Sequence, residues 1–276
     1  MLAEARPRTD DADRIYPVCR SAVPTGQLRA GRYVLRFARN LEDLHAIQRL
    51  RFEVFNLELG EGLDRAYELG RDEDELDASC HHLMVVHHAT RQVVGTYRLM
   101  IRPVAQARGG FYSESELDFA DLPDAILEDG VELGRACVAE AHRNGRVIHL
   151  LWRGLARYLS WNAKRYLFGC CSVPTLDEAV AKRMMLDLQA RGAHHPTVCL
   201  RPLPALRCDA SVAPAEASTE LPPLFASYLS LGAQVCSEPA VDRDFKVIDF
   251  FVVLDVERMD PRVRRSLTDR PGWTEG

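Results

Sequence analysis

The sequence VELGRACVAEAHRNGR runs from Val131 to Arg146. It begins as an apolar strand, yet carries Glu132 and Arg135, and then passes into a basic loop containing glycine. Charges on a strand that faces a core are costly, so something should require them there. In a regular strand, positions three apart face opposite sides. Gly134, between the two charges, permits a bulge that turns both toward one cleft. Asn144 and Gly145 then open a helix with Val147, Ile148, Leu151, Leu155 and Leu159 on one side. The plainer alternative is a structural ion pair, or an edge strand whose charges are solvated.

Upstream, HLMVVHH (82–88) and QVVGTYRLMI (92–101) flank the connector ATR and predict an antiparallel hairpin. YVLRFA (33–38) predicts a strand. Asn40, with Asp43 three residues on, caps a helix with Leu41, Leu44, Ile47, Arg51, Val54 and Phe55 at helical spacing. From Glu58 to Asp77 the chain is acidic and aperiodic, which predicts a partly ordered loop. Downstream, YLFGCCSV (166–173) is a nearly continuous apolar run, the pattern of a central strand. Thr175 and Glu178 form a capping box for a helix ending near Gly192. Residues 202–223 are rich in Pro, Ala and Ser and predict an insertion, LFASYLSLG (224–232) a short helix, and KVIDFFVVLDV (246–256) a last strong strand. This order predicts one α/β domain over 32–256: a mixed, predominantly antiparallel sheet flanked by helices on both faces. Residues 1–31 read as a mobile tail and 257–276 as a C-terminal tail.

The chain has 276 residues, is 47% apolar and 27% charged, and carries a net charge of −5. That balance suits a soluble protein and speaks against broad nucleic-acid binding. No stretch approaches 18 uncharged apolar residues, and the N-terminus lacks an apolar signal core. The eight cysteines form no CxxC pair. Cys170 and Cys171 are adjacent on a strand and face opposite sides, a poor disulfide geometry. Reduced thiols place the protein in the cytoplasm, at most touching the inner-membrane surface. Cys80, His81, His82, His87 and His88 invite a metal reading. Cys80 and His82 are too close for a usual zinc pair, however, and no second pair follows, so no metal is expected. Cys80 also lacks an activating partner for a nucleophilic role.

Strand, bulge-permitting glycine and basic glycine loop opening a helix together resemble the acyl-donor site of the GNAT acyltransferase superfamily. Within it, the chain resembles the bacterial N-acyltransferases that make ornithine lipids and other acyl-amino-acid lipids. The resemblance rests on DELDASCHHLMV (74–85), GTYRLM (95–100), FYSESELDF (111–119), ELGRACV (132–138), LLWRGLARYL (150–159), LFGCCSVP (167–174) and YLSLGAQVCSEPAVDRDFKVIDFFVVL (228–254), in order. It implies a GNAT-like fold, no bound cofactor and amide formation. A (3-hydroxy)fatty acyl chain on the phosphopantetheine of acyl carrier protein would pass to an amino acid, with ornithine giving a lyso-ornithine lipid. More distantly the chain is similar to acyl-homoserine-lactone synthases, whose patterns match Arg51 and Phe55, Asp74 and Asp77, Arg98, and Glu132 with Arg135. The tryptophan usual in their N-terminal loop has no counterpart here.

The roles that follow by resemblance are a general base at Glu132 and an oxyanion-stabilising N–H near Gly134–Arg135. Asp74 and Asp77 would hold a cationic acceptor, and Arg98 and Arg135 would fix that loop or the acceptor carboxylate. Coenzyme A-dependent members carry Gln/Arg-x-x-Gly-x-Gly/Ala in the donor loop, whose amides cradle a diphosphate. Here His142, Gly145 and Val147 stand at those positions, and the branched Val147 implies a degraded cradle and a carrier-protein donor. Arg143 and Arg146 would meet its single phosphodiester or the acidic carrier surface. Two other readings are an acyl-homoserine-lactone-type synthase and a non-catalytic acyl-chain or membrane-binding protein.

Overall fold

The computed structural model describes residues 16–60, 62, 64–268 and 272–274. In chain order its first elements are β1 Gln27–Ala30, β2 Tyr33–Phe37, α1 Leu41–Arg51, α2 Ala66–Leu69, β3 His81–His87 and β4 Val93–Ile101. There follow α3 Arg102–Arg108, β5 Leu117–Asp118, α4 Asp124–Glu128, β6 Gly130–Val138, α5 Arg146–Trp161 and β7 Tyr166–Val173. The last are α6 Glu178–Ala190, β8 Arg201–Pro202, α7 Pro223–Ser230, β9 Gln234–Val235, β10 Ala240–Asp242, β11 Val247–Asp255, α8 Pro261–Thr268 and β12 Trp273–Thr274.

One ten-stranded sheet runs β10-β11-β7-β6-β4-β3-β2-β1-β12, with β9 also beside β11. Short connectors make β3 and β4 antiparallel, whereas the crossover through α5 makes β6 and β7 parallel. That parallel ladder is brief: only Gly130–Glu132 pairs with Tyr166–Phe168. Beyond it β6 stays with β4 and β7 stays with β11, so the two strands part.

Where they part, β6 bulges. Arg98 stands opposite Gly134 and Thr96 opposite Cys137, so Arg135 and Ala136 together face Tyr97. The left-handed backbone falls on Arg135, with φ +47, and not on the expected Gly134. Gly134 lies instead beside Arg98, whose Nε would be 3.7 Å from an added Cβ.

Helices cover both faces, as the patterning requires. The apolar side of α5 buries Val147, Leu151, Leu155 and Tyr158. It lies close because two glycines meet it: Gly95 faces Val147, and Gly154 faces Leu83. On the other face, Leu44 and Ile47 of α1 pack against Met84. The helix starts where expected, with the Asn40 side chain accepting from the Asp43 N–H at 2.9 Å.

Three expectations need correction. Of the segment 1–31 read as a mobile tail, residues 1–15 lie outside the described residues, and the described part carries Tyr16, buried with its hydroxyl 2.8 Å from His82 Nδ1, and strand β1. The C-terminal segment carries α8 and β12, and β12 pairs with β1. Strands of two to four residues have no readable period; pairing alone reveals them. Finally, α6 is capped by Asp177, which accepts from the Ala179 N–H, while the Thr175 hydroxyl, two residues earlier, accepts from the Asp177 N–H.

Candidate active site

The parting of β6 from β7 opens a cavity of about 400 Å³. Strand alternation divides its wall. Tyr97, Leu133, Cys171, Phe225 and Tyr228 form an apolar half, with the Tyr97 and Tyr228 hydroxyls joined at 2.7 Å. Arg98, Tyr112, Arg135, Cys170, Ser172 and Asp249 form a polar half.

Behind the polar half lies a buried ionic network. Arg51, fully buried at 0% exposure, donates through Nε to Asp72 and through Nη1 to Asp77, each at 2.7 Å. Arg98 donates to Asp74 and, at 3.1 Å, to Asp77. Arg135 donates to the other oxygen of Asp72. Burial alone would raise the Asp77 carboxyl, but Arg51, His82 and Arg98 beside it hold it well below the usual range. Three guanidiniums thus meet three carboxylates, which satisfies charges that would otherwise be prohibitive inside. Arg135 is also clamped between Phe55 and Phe245, at 4.8 and 4.7 Å from the ring centres.

This geometry gathers Arg51, Phe55, Asp74, Asp77, Arg98 and Arg135 around one wall and changes the reading of the aspartates. Asp74 and Asp77 are committed to arginines and offer no surplus negative charge to a cationic acceptor. Asp72, which the sequence reading passed over, is the member that ties Arg51 to Arg135. The acidic run around it gives no signal to single it out.

Glu132 is buried and does not line the cavity. One oxygen accepts from the Tyr112 N–H at 2.9 Å, and the other from the Ser113 N–H and hydroxyl at 2.8 and 2.7 Å. Burial raises its carboxyl, and these bonds oppose the rise. Its effect in the fold is to hold the Tyr112–Ser115 turn, which sets the Tyr112 ring against Arg98.

Across the cavity, Glu116, Cys170 and Asp249 bring their side-chain ligand atoms within 4.8 Å of one another. Cys170 donates to Glu116 at 3.3 Å, and the Ser172 hydroxyl donates to Asp249 at 2.7 Å. Burial, and then the charge of Asp249, push the Glu116 carboxyl well up. Burial and Glu116 do the same to the Cys170 thiol. The sequence reading missed this cluster because its members lie on three separate segments.

His81, His82 and Cys80 are buried in the fold. Both ring nitrogens of His81 are engaged, with the Tyr158 hydroxyl and the Val18 carbonyl, and burial pushes its pKa down to about 4. Burial pushes the Cys80 thiol up to about 12.

The donor loop differs from its expected form in two respects. Val147 is fully buried against Gly95, so its branch points into the core and does not crowd the loop. Arg143 is paired with Glu58 and with the Val138 carbonyl. Gly145, with φ +80, precedes α5, and Arg146 is exposed at that helix's first turn.

The comparisons with known proteins make this chain an N-acyltransferase of the GNAT class. Residues 50–153 match the Acetyltransferase (GNAT) domain family. The chain is 34% identical over 246 residues to the L-ornithine N(alpha)-acyltransferase of Rhizobium meliloti (strain 1021), covering 82% of this chain and 81% of the relative. It is also 34% identical over 257 residues to the enzyme of that name from Brucella abortus (strain 2308), covering 85% and 88%. The chain belongs to the family of these L-ornithine N(alpha)-acyltransferases. Solved structures that resemble it are FeeM, an N-acyl amino acid synthase from uncultured soil microbes, and the AHL synthase LasI. FeeM has a TM-score of 0.48 at 13% identity, covering 86% of this chain and 95% of that one. LasI has a TM-score of 0.45 at 13% identity, covering 88% and 96%. Among the described residues no helix is long and apolar enough to cross a membrane.

Proposed function

We propose that the protein transfers a fatty acyl group from the phosphopantetheine thioester of acyl carrier protein to the α-amine of L-ornithine. The observation that carries this reading is the two-sided cavity where β6 leaves β7. The acyl chain and pantetheine arm take the apolar half, and the amino acid takes the polar half. Arg135 keeps part of its surface open to the cavity, with 14% side-chain exposure, and with Arg98 it receives the α-carboxylate. The bulge sets Arg135 and Ala136 together opposite Tyr97, and in this reading their backbone N–H groups polarise the thioester carbonyl.

The amine nitrogen attacks the carbonyl carbon, the carbon–sulfur bond breaks, and the amide forms. Of the two protons the ammonium sheds, one goes to the departing thiolate and one to water at the mouth. Glu132 acts here as a positioning residue: its three accepted bonds fix Tyr112 beside Arg98.

A carrier donor is supported by the loop's charge. Glu58 neutralises Arg143, leaving Arg146 and the start of α5 for a phosphate, which suits one phosphodiester better than a diphosphate. Purified protein is offered matched acyl-carrier and acyl-coenzyme A donors with ornithine, and products are identified by mass. N-acyl-ornithine formed preferentially from the carrier is expected. Equal use of the coenzyme overturns the donor assignment, and a lactone product overturns the acceptor.

A further inference from the structure

We propose that the face built by the end of α5 and by α8 docks on an anionic lipid surface. Docking does not depend on the acyltransferase reading; only its benefit does.

Between α5 and α8 lies an apolar groove of about 180 Å³, walled by Trp152, Leu155, Leu159, Met259 and Leu267. Two of its polar lining residues, Lys164 and Arg264, are cationic. Helix phase explains why charge borders the groove. Val263 and Leu267, four apart on α8, turn inward and pack against the core. That phase leaves Arg262 and Arg265 on the outer side, and both are exposed, as is Arg264.

The nearby carboxylates are engaged elsewhere. Asp255 and Glu257 hold Arg165, and Asp255 also lies 3.5 Å from Arg258. Asp260 accepts from the Arg262 and Val263 N–H groups where α8 begins. Among the described residues, Arg262, Arg264 and Arg265 form no ion pair with a carboxylate. Lys164 donates to the Glu128 carbonyl. From Arg153 to Arg165 the chain carries four cations and no carboxylate, and α8 carries three and none. The whole chain has a net charge of −5, so positive charge gathers here against the average.

Guanidiniums in water need no partner, and charge alone would decide nothing. Their position beside an open apolar groove does. Lipid phosphates pair with such cations while hydrocarbon covers the apolar floor. Trp161, the last residue of α5, exposes 40% of its surface at this end, and indole favours that boundary. An acidic carrier protein matches the charge but not the place. The donor loop precedes the first turn of α5, and sixteen residues of helix put this face about 24 Å away. The groove does lie close to the cavity. Trp152 meets Tyr228 edge-on, with ring centres 5.5 Å apart, and Tyr228 lines the apolar half. In the acyltransferase reading, a product with a fatty chain thus forms one ring pair from lipid.

The test is flotation of the full chain with phosphatidylglycerol vesicles and with phosphatidylcholine vesicles, at low and high salt. One cation at an anionic surface is worth about fivefold in partitioning, so Arg262→Gln/Arg264→Gln/Arg265→Gln should bind roughly a hundredfold more weakly. All three side chains are exposed, so its melt should match wild type. Lys164→Gln, which leaves α8 untouched, should lose about fivefold. Arg143→Gln/Arg146→Gln, at the other end of α5, should bind as wild type does. Binding to phosphatidylglycerol that fades with salt and weakens only in the first two variants supports the docking face. Absent binding by wild type, equal binding to both vesicles, or equal loss in all three variants overturns it. So does binding of acyl carrier protein that the α8 variant abolishes while its vesicle binding is unchanged.

Discussion

Asp77→Asn exposes how the arginine wall is held. The native carboxylate accepts from Arg51 at 2.7 Å, Gln48 at 3.0 Å and Arg98 at 3.1 Å, with His82 Nε2 3.5 Å away. Asparagine offers one oxygen and one amide, so an N–H must face one of these donors, and two buried guanidiniums lose a counter-charge. Removing one partner of a buried pair costs about 3–5 kcal/mol. At roughly 2–4 °C per kcal/mol for a domain of this size, the midpoint should fall by about 6–20 °C. Urea and thermal melts measure it, and the double variant Arg51→Met/Asp77→Leu should recover part of the loss. The pH dependence has a definite sign. Because Asp77 is held well below its ordinary pKa, its stabilisation is present above the unfolded value near 4 and is lost as pH falls through the folded one. The acid-side loss of stability should therefore be shallower in the variant. A destabilisation under about 1 kcal/mol, the range of a solvated pair, would refute the network argument.

Glu132→Gln should lower kcat/KM at every pH while leaving the acid limb of the profile in place, because the turn at Tyr112 shifts and no base is lost. A limb that disappears would restore Glu132 as the base. Arg143→Glu with Arg146→Glu should raise KM for the acyl carrier and steepen nothing with salt, whereas wild-type KM should rise with salt; an unchanged KM marks both as bystanders. Gly95→Ala places a Cβ 2.5 Å from Val147 Cγ1, so a loss of about 1–3 kcal/mol is expected, relieved by adding Val147→Ala. Melts that do not move would mean α5 shifts freely.

Much of the scaffold was legible because periodicity and charge conflict at informative places. Glu132 and Arg135 interrupt an apolar strand, and the bulge is found there. Asn40 caps α1 as expected, and the β3–β4 hairpin follows from two alternating runs around a short connector. Other features depend on contacts distant in sequence. Asp72 and Asp74 look alike in their acidic run, and only the fold decides that Asp72 joins Arg51 to Arg135. Val147 follows a loop glycine, but helix phase turns it toward Gly95. Asp177 displaces Thr175 as the cap because either residue can make the turn, and the start of α6 chooses between them.

The buried ion network also constrains how this protein can change over generations. Its six members come from α1, the 72–77 segment, β4 and β6, and each charge is tolerable only in the company of the others. A single replacement passes through a chain with an unmatched charge in its interior, a state costing several kcal/mol of a typical total near 5–15. Lineages should therefore exchange these positions in matched pairs or keep them, while no such constraint ties the residues of the apolar half to one another.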